Sequence, residues 1–261
     1  MANSLQVVLP KGRADVEIDE FRTVAANAFA MMEMETAYAP IGKLHMQVEF
    51  PDDFVSRMQE VSRLCGGQTG GDQFALGWTC CNPKDPGVQF ILINSSRFAA
   101  MTELERLVTI THEMGHAHVN VRRTVTVPST PNPIWAIDEY RVSMLAVRAA
   151  LPQTRAVTTA DFPVWLAANL DSYAEIDGWW GVSPDLWYKD AAAIMQQGPV
   201  RERIDAHMPD LAPWPACISA ITASFNPRFL EDVDADDRAM TAVIGPFCKR
   251  FAALGKKKSP F

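Results

Sequence analysis

The segment from Thr111 to His118 contains the side chains best suited to chemistry. It reads Thr-His-Glu-Met-Gly-His-Ala-His and includes one complete H-E-x-x-H. In a helix, residues four apart share a face, so His112 and His116 can both point a ring nitrogen at one metal ion. Glu113 lies one step around the helix, where its carboxylate can take a proton from a water molecule that the metal activates. The spacing predicts a zinc site with Glu113 as general base.

The residues before the motif predict the helix that it needs. Thr102 with Glu105 three residues later forms a capping box, and an apolar stripe runs from Leu104 into the motif. The alternative is a pair of core histidines. An apolar core rarely accepts His, Glu and His so close together unless they are paired or bound to a metal. The metal site is therefore the preferred interpretation.

A hydrolytic zinc site needs another protein ligand and an open position for water. A third histidine ten residues after the first would fall at position 122, which is Arg122. The other common source is an acid on a following helix, and residues 134–151, bounded by prolines, have a helical pattern. Glu139 is the acid on its apolar face, with a solvated surface residue as the alternative. Asp138 is turned about 100° away, so it is the weaker ligand candidate and is expected to support a ligand.

Composition excludes several classes of protein. The chain has 261 residues, of which 48% are hydrophobic and 21% charged, and its formal net charge is −7. An acidic chain does not favour nucleic acid as a partner, and no run approaches the about 18 apolar residues that cross a membrane. The N-terminus lacks the order of a signal peptide, and the scattered cysteines form neither a disulfide framework nor a C-x-x-C pair. We expect a cytoplasmic protein.

Hydrophobic periodicity predicts the elements that position the motif. Helices are expected over residues 18–36 and 51–64, with a half-buried strand over residues 44–50 between them. The β-favouring runs 74–80 and 88–94 are joined by a turn-rich connector and predict a hairpin. Beside the metal, its edge would let an extended peptide add as one more strand. The alternative is a hairpin that only covers the helices.

Several donors are candidates for stabilising the transition state. His207 is one, and the pattern does not choose between it and Tyr140, Tyr173 or Tyr188. His118 is turned away from the ion on a helix, so it is expected in the core or as support behind the ligands.

Two charged segments outside the motif have simpler predictions. Arg122 and Arg123 are expected as exposed surface charges, with binding of a substrate carboxylate as the alternative. The acidic run 231–237 lacks the glycine of a calcium-binding loop, and it is predicted to be a solvated loop.

Three segments together resemble a known family: Phe90-Ile91-Leu92-Ile93-Asn94, the helix ending in His112-Glu113-Met114-Gly115-His116, and Glu139 ahead of Val142-Ser143-Met144-Leu145-Ala146. They look like the ImmA/IrrE-type zinc metallopeptidases, over about residues 15–150. The resemblance implies zinc bound by His112, His116 and Glu139, with Glu113 as base. It also implies a cytoplasmic bacterial or phage setting and, often, cleavage of a transcriptional repressor. Ser143 stands where the family usually has Asp or Asn, which weakens its expected support of a ligand histidine.

The predicted fold is α+β in two parts. Residues 1–151 are expected to form a zincin-like catalytic domain, with a small antiparallel or mixed sheet and two metal-binding helices. Residues 152–261 are expected to form a helical extension that packs on this domain and is rich in tryptophan. These tryptophans either line a pocket beside the zinc or pack the extension against the catalytic part.

The first functional interpretation is a zinc-dependent endopeptidase, in which metal-activated water attacks a peptide bond and Glu113 removes its proton. The second is a zinc enzyme that acts on a small amide or metabolite in a closed pocket. The third is a non-catalytic metal-binding or sensing protein. Metal analysis separates the third from the others, and the shape of the cavity separates the first two.

Overall fold

The computed structural model describes residues 3–9, 14–66, 75–124 and 230–239, together with Asp138, Arg141, Val142, Leu145, Ala146, Ala149 and Ala150. The chain divides into two compact units. The first comprises Met1–Arg122 with Leu145–Ala156, and the second comprises Arg123–Met144 with Val157–Phe261.

The first unit contains a small mixed sheet. Its strands are β1 (Ser4–Val8), β2 (His45–Glu49), β3 (Gly77–Cys81) and β4 (Val88–Ile93). They form a four-stranded sheet in the order β1-β2-β4-β3. β1 and β4 run parallel to β2, whereas β3 runs antiparallel to β4 and lies at one edge. The β3–β4 pair confirms the predicted hairpin.

The helices of this unit whose ends lie within the described residues are α1 (Asp15–Glu35), α2 (Phe54–Leu64), α3 (Ser95–Ala99) and α4 (Glu103–Asn120). α1, α2 and β2 confirm the predicted helix, strand and helix that precede the hairpin. β1 and α3 have no counterpart in the sequence prediction. The mixed sheet and its helices agree with the α+β class. None of the helices in the described residues is long and apolar enough to cross a membrane.

The two faces of β3 pack against different helices. On one face α2 packs on β3 and β4, in a cluster formed by Phe54, Met58, Val61, Trp78, Cys80, Phe90 and Leu92. Side chains alternate along a strand, so Gly77 and Thr79 lie on the other face. That face meets α4, which contacts β3, β4 and α1. β3 is thus held by the apolar cluster on one side and presents Gly77 and Thr79 to the motif helix on the other.

Arg106 joins the first half of α4 to a buried aromatic group. Phe21, Phe50 and Phe98 are buried together, with ring centroids 4.9 to 5.2 Å apart. Arg106 of α4 donates to the carbonyl oxygen of Phe98 at 2.9 Å and also pairs with Glu20 of α1. These contacts connect α4 to both α1 and α3.

The predicted capping box begins α4. The backbone N–H of Thr102 donates to the Glu105 carboxylate at 2.7 Å, and the Glu105 N–H donates to the Thr102 hydroxyl at 3.3 Å. Each residue therefore satisfies a backbone donor of the other at the helix terminus. The start of the helix is fixed ten residues before the H-E-x-x-H motif.

In the described part of the second unit, residues 233–239 are helical and Val233 and Asp237 are buried. The prediction of a solvated loop over residues 231–237 is wrong. The carboxylate of Asp232 accepts a hydrogen bond from the Ala235 N–H at 2.9 Å, which caps the first turn. Acidic residues are favourable at the start of a helix, where the backbone N–H groups are unpaired.

Asp237 belongs to a buried group that also contains Asp138, Arg123 and Arg141, hereafter the Arg–Asp cluster. Arg123 donates to Asp237 at 2.9 Å and to Asp138 at 2.5 Å, and Arg141 donates to the same two acids at 2.9 and 3.1 Å. Burial opposes the charged form of Arg123, but its bonds to Asp138 and Asp237 raise its pKa. The Arg123 side chain is only 7% exposed, so the prediction of an exposed surface charge at this position is wrong.

Candidate metal centre on the motif helix

His112 and His116 lie on one face of α4, one turn apart. Their ring centroids are 4.9 Å apart, and the ring planes make an angle of 77°. Both residues are half-buried, in contrast to their neighbours Glu113 and Gly115. Two adjacent imidazoles on a rigid helix form a donor pair suited to zinc and to other first-row metals.

Glu113 points from α4 towards β3 and is only 7% exposed. The hydroxyl group of Thr79 donates to its Oε2 at 2.6 Å and also lies 3.0 Å from its carbonyl oxygen. The Thr79 hydroxyl therefore lies between the carboxylate and the backbone oxygen of Glu113, and its shorter contact is to the carboxylate. A buried carboxylate costs free energy unless its oxygens are hydrogen-bonded, and this contact supplies such a bond.

Gly77 leaves the space that the Glu113 side chain occupies. A Cβ atom built at position 77 would lie 2.6 Å from Cγ and Oε1 of Glu113 and 2.8 Å from its Cδ. Carbon atoms of separate residues do not approach so closely, so any larger residue at position 77 would displace the carboxylate. No motif in the sequence singles out Gly77 or Thr79. A glycine inside a strand pattern is the available signal, since it often marks a close approach of another group.

His118 is buried in the core, as its position two residues after His116 predicts. Its Nδ1 lies 3.2 Å from Arg122, and its Nε2 lies 3.8 Å from a carboxylate oxygen of Glu33 on α1. Burial and, secondarily, the charge of Arg122 lower the pKa of His118 to about 3. The imidazole is therefore neutral at physiological pH.

Arg122 is half-buried, so the prediction of an exposed surface charge is wrong here as well. Its guanidinium donates to the carbonyl oxygens of His118, at 2.7 Å, and of Ala39. Burial lowers its pKa to about 10. Arg122 joins the end of α4 to the segment that follows α1, and both of its terminal nitrogens donate within the chain.

The remaining predicted site residues divide into two groups. Asp138 is helical and buried, and its carboxylate accepts hydrogen bonds from Arg123 and Arg141 in the Arg–Asp cluster. The others lie outside the described residues: Glu139, Tyr140, Ser143, Tyr173, Tyr188 and His207. Within the described ranges, no group of three His, Cys, Asp or Glu side chains is placed to hold a metal ion. The described residues thus include two candidate ligands, His112 and His116, and the third candidate remains the sequence prediction at Glu139.

Comparisons with protein-family models, with curated proteins and with solved structures find no match. Paired imidazoles from one helix face lie next to a buried carboxylate, and that carboxylate is bound by a hydroxyl of the edge strand. This arrangement combines metal donors with a group that can accept a proton.

Proposed function

We propose that this protein is a zinc-dependent hydrolase with a zincin-like catalytic domain, and that it hydrolyses peptide bonds. The observation that carries the proposal is the joint placement of His112, Glu113 and His116 on α4. The imidazoles lie together, while the carboxylate between them in sequence is bound by Thr79. The resemblance of the sequence to the ImmA/IrrE-type metallopeptidases supports the same activity.

His112 and His116 would hold the zinc ion, with Glu139 as the third ligand expected from the sequence. Bound zinc acts as a Lewis acid towards the scissile carbonyl and the attacking water. The neutral state of an imidazole is the one that binds a metal, and half-burial limits competition from bulk water for these rings.

Glu113 acts as the general base in this proposal. Its carboxylate takes a proton from the attacking water and passes it to the nitrogen of the leaving amine, so the peptide bond is exchanged for a carboxylate and an amine. Proton transfer by a positioned side chain contributes about 10²- to 10⁴-fold to the rate. Because Thr79 holds the carboxylate against β3, fewer side-chain conformations are lost when Glu113 adopts the geometry for proton transfer.

The edge position of β3 favours a peptide over a small amide. β3 pairs with β4 on one side and lies at the edge of the sheet described here. An extended peptide can add to such an edge through main-chain hydrogen bonds. The same strand contacts Glu113, so a peptide bound along it would lie close to the proposed base.

The test combines metal analysis with a cleavage assay on the full chain. We expect the wild type to bind zinc, measured by plasma mass spectrometry, and to cleave members of a quenched-fluorescent peptide library. Glu113→Gln should retain zinc and lose about 10²- to 10⁴-fold in rate, whereas His112→Ala should lose zinc. Glu103→Gln is a matched control, because it makes the same change at an exposed position of the same helix.

Two results would contradict the proposal in different ways. If a zinc-loaded Glu113→Gln variant cleaved as fast as the wild type, Glu113 would not be the general base. A wild-type chain that takes up no zinc would refute the metal centre itself.

A further inference from the structure

We propose that the edge strand β3 positions the catalytic base. Thr79 fixes one oxygen of the Glu113 carboxylate, and Gly77 provides the space in which the other oxygen lies. The catalytic consequence rests on the proposed function, whereas the contact between β3 and Glu113 does not. Thr79 is a positioning residue in this inference, because it acts through Glu113.

The contact joins residues that are 34 positions apart in the sequence. The Thr79 hydroxyl lies 2.6 Å from Oε2 of Glu113, at the short end of the range for a hydroxyl bound to a carboxylate. It also lies 3.0 Å from the carbonyl oxygen of Glu113. The bond to Oε2, made by a hydroxyl that also lies close to the backbone oxygen, restrains the rotation of the Glu113 side chain.

Gly77 sets the other boundary of the same carboxylate. It lies two residues before Thr79 and therefore on the same face of β3. A Cβ at position 77 would overlap Oε1 and Cγ of Glu113, each 2.6 Å away. Position 79 of the strand thus donates to Oε2, and position 77 leaves space for Oε1.

The chemistry of a hydroxyl suits a base that must gain and lose a proton. A threonine hydroxyl is neutral and can donate to a carboxylate or to the oxygen of a neutral carboxyl group. Oε2 can therefore stay bound to Thr79 through the reaction, while Oε1 exchanges the proton. In the described part of the chain, Thr79 is the donor to this carboxylate.

The catalytic test compares Thr79→Val with Thr79→Ser in zinc-loaded protein. Valine keeps the shape and removes the hydroxyl, whereas serine keeps the hydroxyl. With the library peptide that the wild type cleaves fastest, we expect Thr79→Val to lower kcat by about 10- to 100-fold through loss of orientation. KM and zinc content should be unchanged. Thr79→Ser should restore most of kcat, and equal kcat values for the valine variant and the wild type would overturn the inference.

A second readout needs neither zinc nor activity. In metal-free protein, Thr79→Val and Gly77→Ala are each made with Glu113 present and in a Glu113→Ala background, and urea denaturation is followed by circular dichroism. Alanine at position 113 removes the atoms that Thr79 binds and that a Cβ at position 77 would strike. Both substitutions should therefore lower the urea midpoint when Glu113 is present and have a much smaller effect in the Glu113→Ala background.

The two readouts separate this inference from the proposed function. Equal midpoint shifts in both backgrounds would overturn the contact between β3 and Glu113, whatever the activity. If the wild type neither binds zinc nor cleaves a peptide, the proposed function fails, while coupling between Thr79 and Glu113 would still support the positioning of this carboxylate.

Discussion

Two buried regions of the molecule hold their carboxylates in different ways. Glu113 in the first unit is bound by the hydroxyl of Thr79, whereas Asp138 and Asp237 in the second unit are bound by guanidinium groups in the Arg–Asp cluster. The three acids are 7%, 8% and 5% exposed, so burial does not distinguish them. A guanidinium stays protonated and holds an acid as its anion, while a hydroxyl adds no charge. The binding partner therefore separates a structural carboxylate from one suited to proton exchange.

The first unit contains a structural carboxylate of its own. Glu49 of β2 accepts hydrogen bonds from Arg57 of α2 at 2.7 and 2.8 Å. These bonds raise the pKa of Arg57 above its ordinary value, although burial acts in the opposite direction. Glu49 and Glu113 thus represent both kinds of acid within one small sheet and its helices.

The largest expected effect is in the Arg–Asp cluster. Asp237→Ala removes one of the carboxylates that bind the fully buried Arg141 and the nearly buried Arg123. Breaking a buried ion pair typically costs about 3 to 5 kcal/mol, because a charge is left without compensation. The free energy of unfolding, measured by urea denaturation, should fall by this amount. Glu231→Ala, at an exposed position nearby, is the control. If both changes lower the free energy of unfolding equally, Asp237 does not stabilise the fold through its ion pairs with the two arginines.

His118 extends the comparison to a buried base beside a guanidinium. Its pKa is lowered to about 3, so below pH 6.5 the unfolded chain takes up a proton that the folded chain excludes. The contribution of His118 to the free energy of unfolding should be constant above pH 6.5. It should fall by about 2 kcal/mol between pH 6.5 and 5. Glu33 of α1, 3.8 Å away, is the acid that faces this ring and would oppose the effect if it bound the protonated form.

Urea denaturation of metal-free protein across this pH range tests the His118 prediction. The His118→Gln variant has no imidazole at this position and should lose less stability on acidification. If the wild type and the variant show the same pH dependence, the imidazole is not held neutral by the fold.

The smallest effect is expected for Arg57→Met. The change removes the guanidinium partner of Glu49 and leaves its hydrogen bond from Gln47, and the Arg57 side chain is 26% exposed, so solvent weakens the ion pair. We expect a loss of about 1 to 2 kcal/mol in the free energy of unfolding. Arg63→Met, on the same helix but exposed, should change stability much less. If Arg57→Met lowered the free energy of unfolding as much as Asp237→Ala, solvent exposure would not determine how much these ion pairs contribute to stability.

Local sequence patterns predict the elements that position the site. The capping pair Thr102 and Glu105 marks the start of α4, and the alternation of the hairpin strands places Gly77 and Thr79 on one face. The sequence does not reveal which face of β3 meets α4, because that depends on packing between distant segments. The contact of Thr79 with Glu113 is therefore found only in the folded chain.

The contacts within the Arg–Asp cluster also cannot be predicted from local sequence patterns. Asp237 lies 96 residues from Arg141 and 114 residues from Arg123, and no local pattern connects them. An acidic run without its distant partners is indistinguishable from a solvated loop, which explains why that prediction is wrong. Glu139 is the converse case. Its assignment as a ligand comes from helical periodicity and from the family resemblance, and it lies outside the described residues.

The capping box has a further consequence for changes in the length of α4. It anchors the beginning of the helix, so the number of residues from Thr102 to Glu113 determines the angular phase of the motif. Each residue turns a helix by about 100° and advances it by about 1.5 Å. A single inserted residue between Thr102 and His112 would rotate Glu113 off Thr79 and turn both imidazoles by the same angle, whereas insertions before Thr102 would leave that phase unchanged.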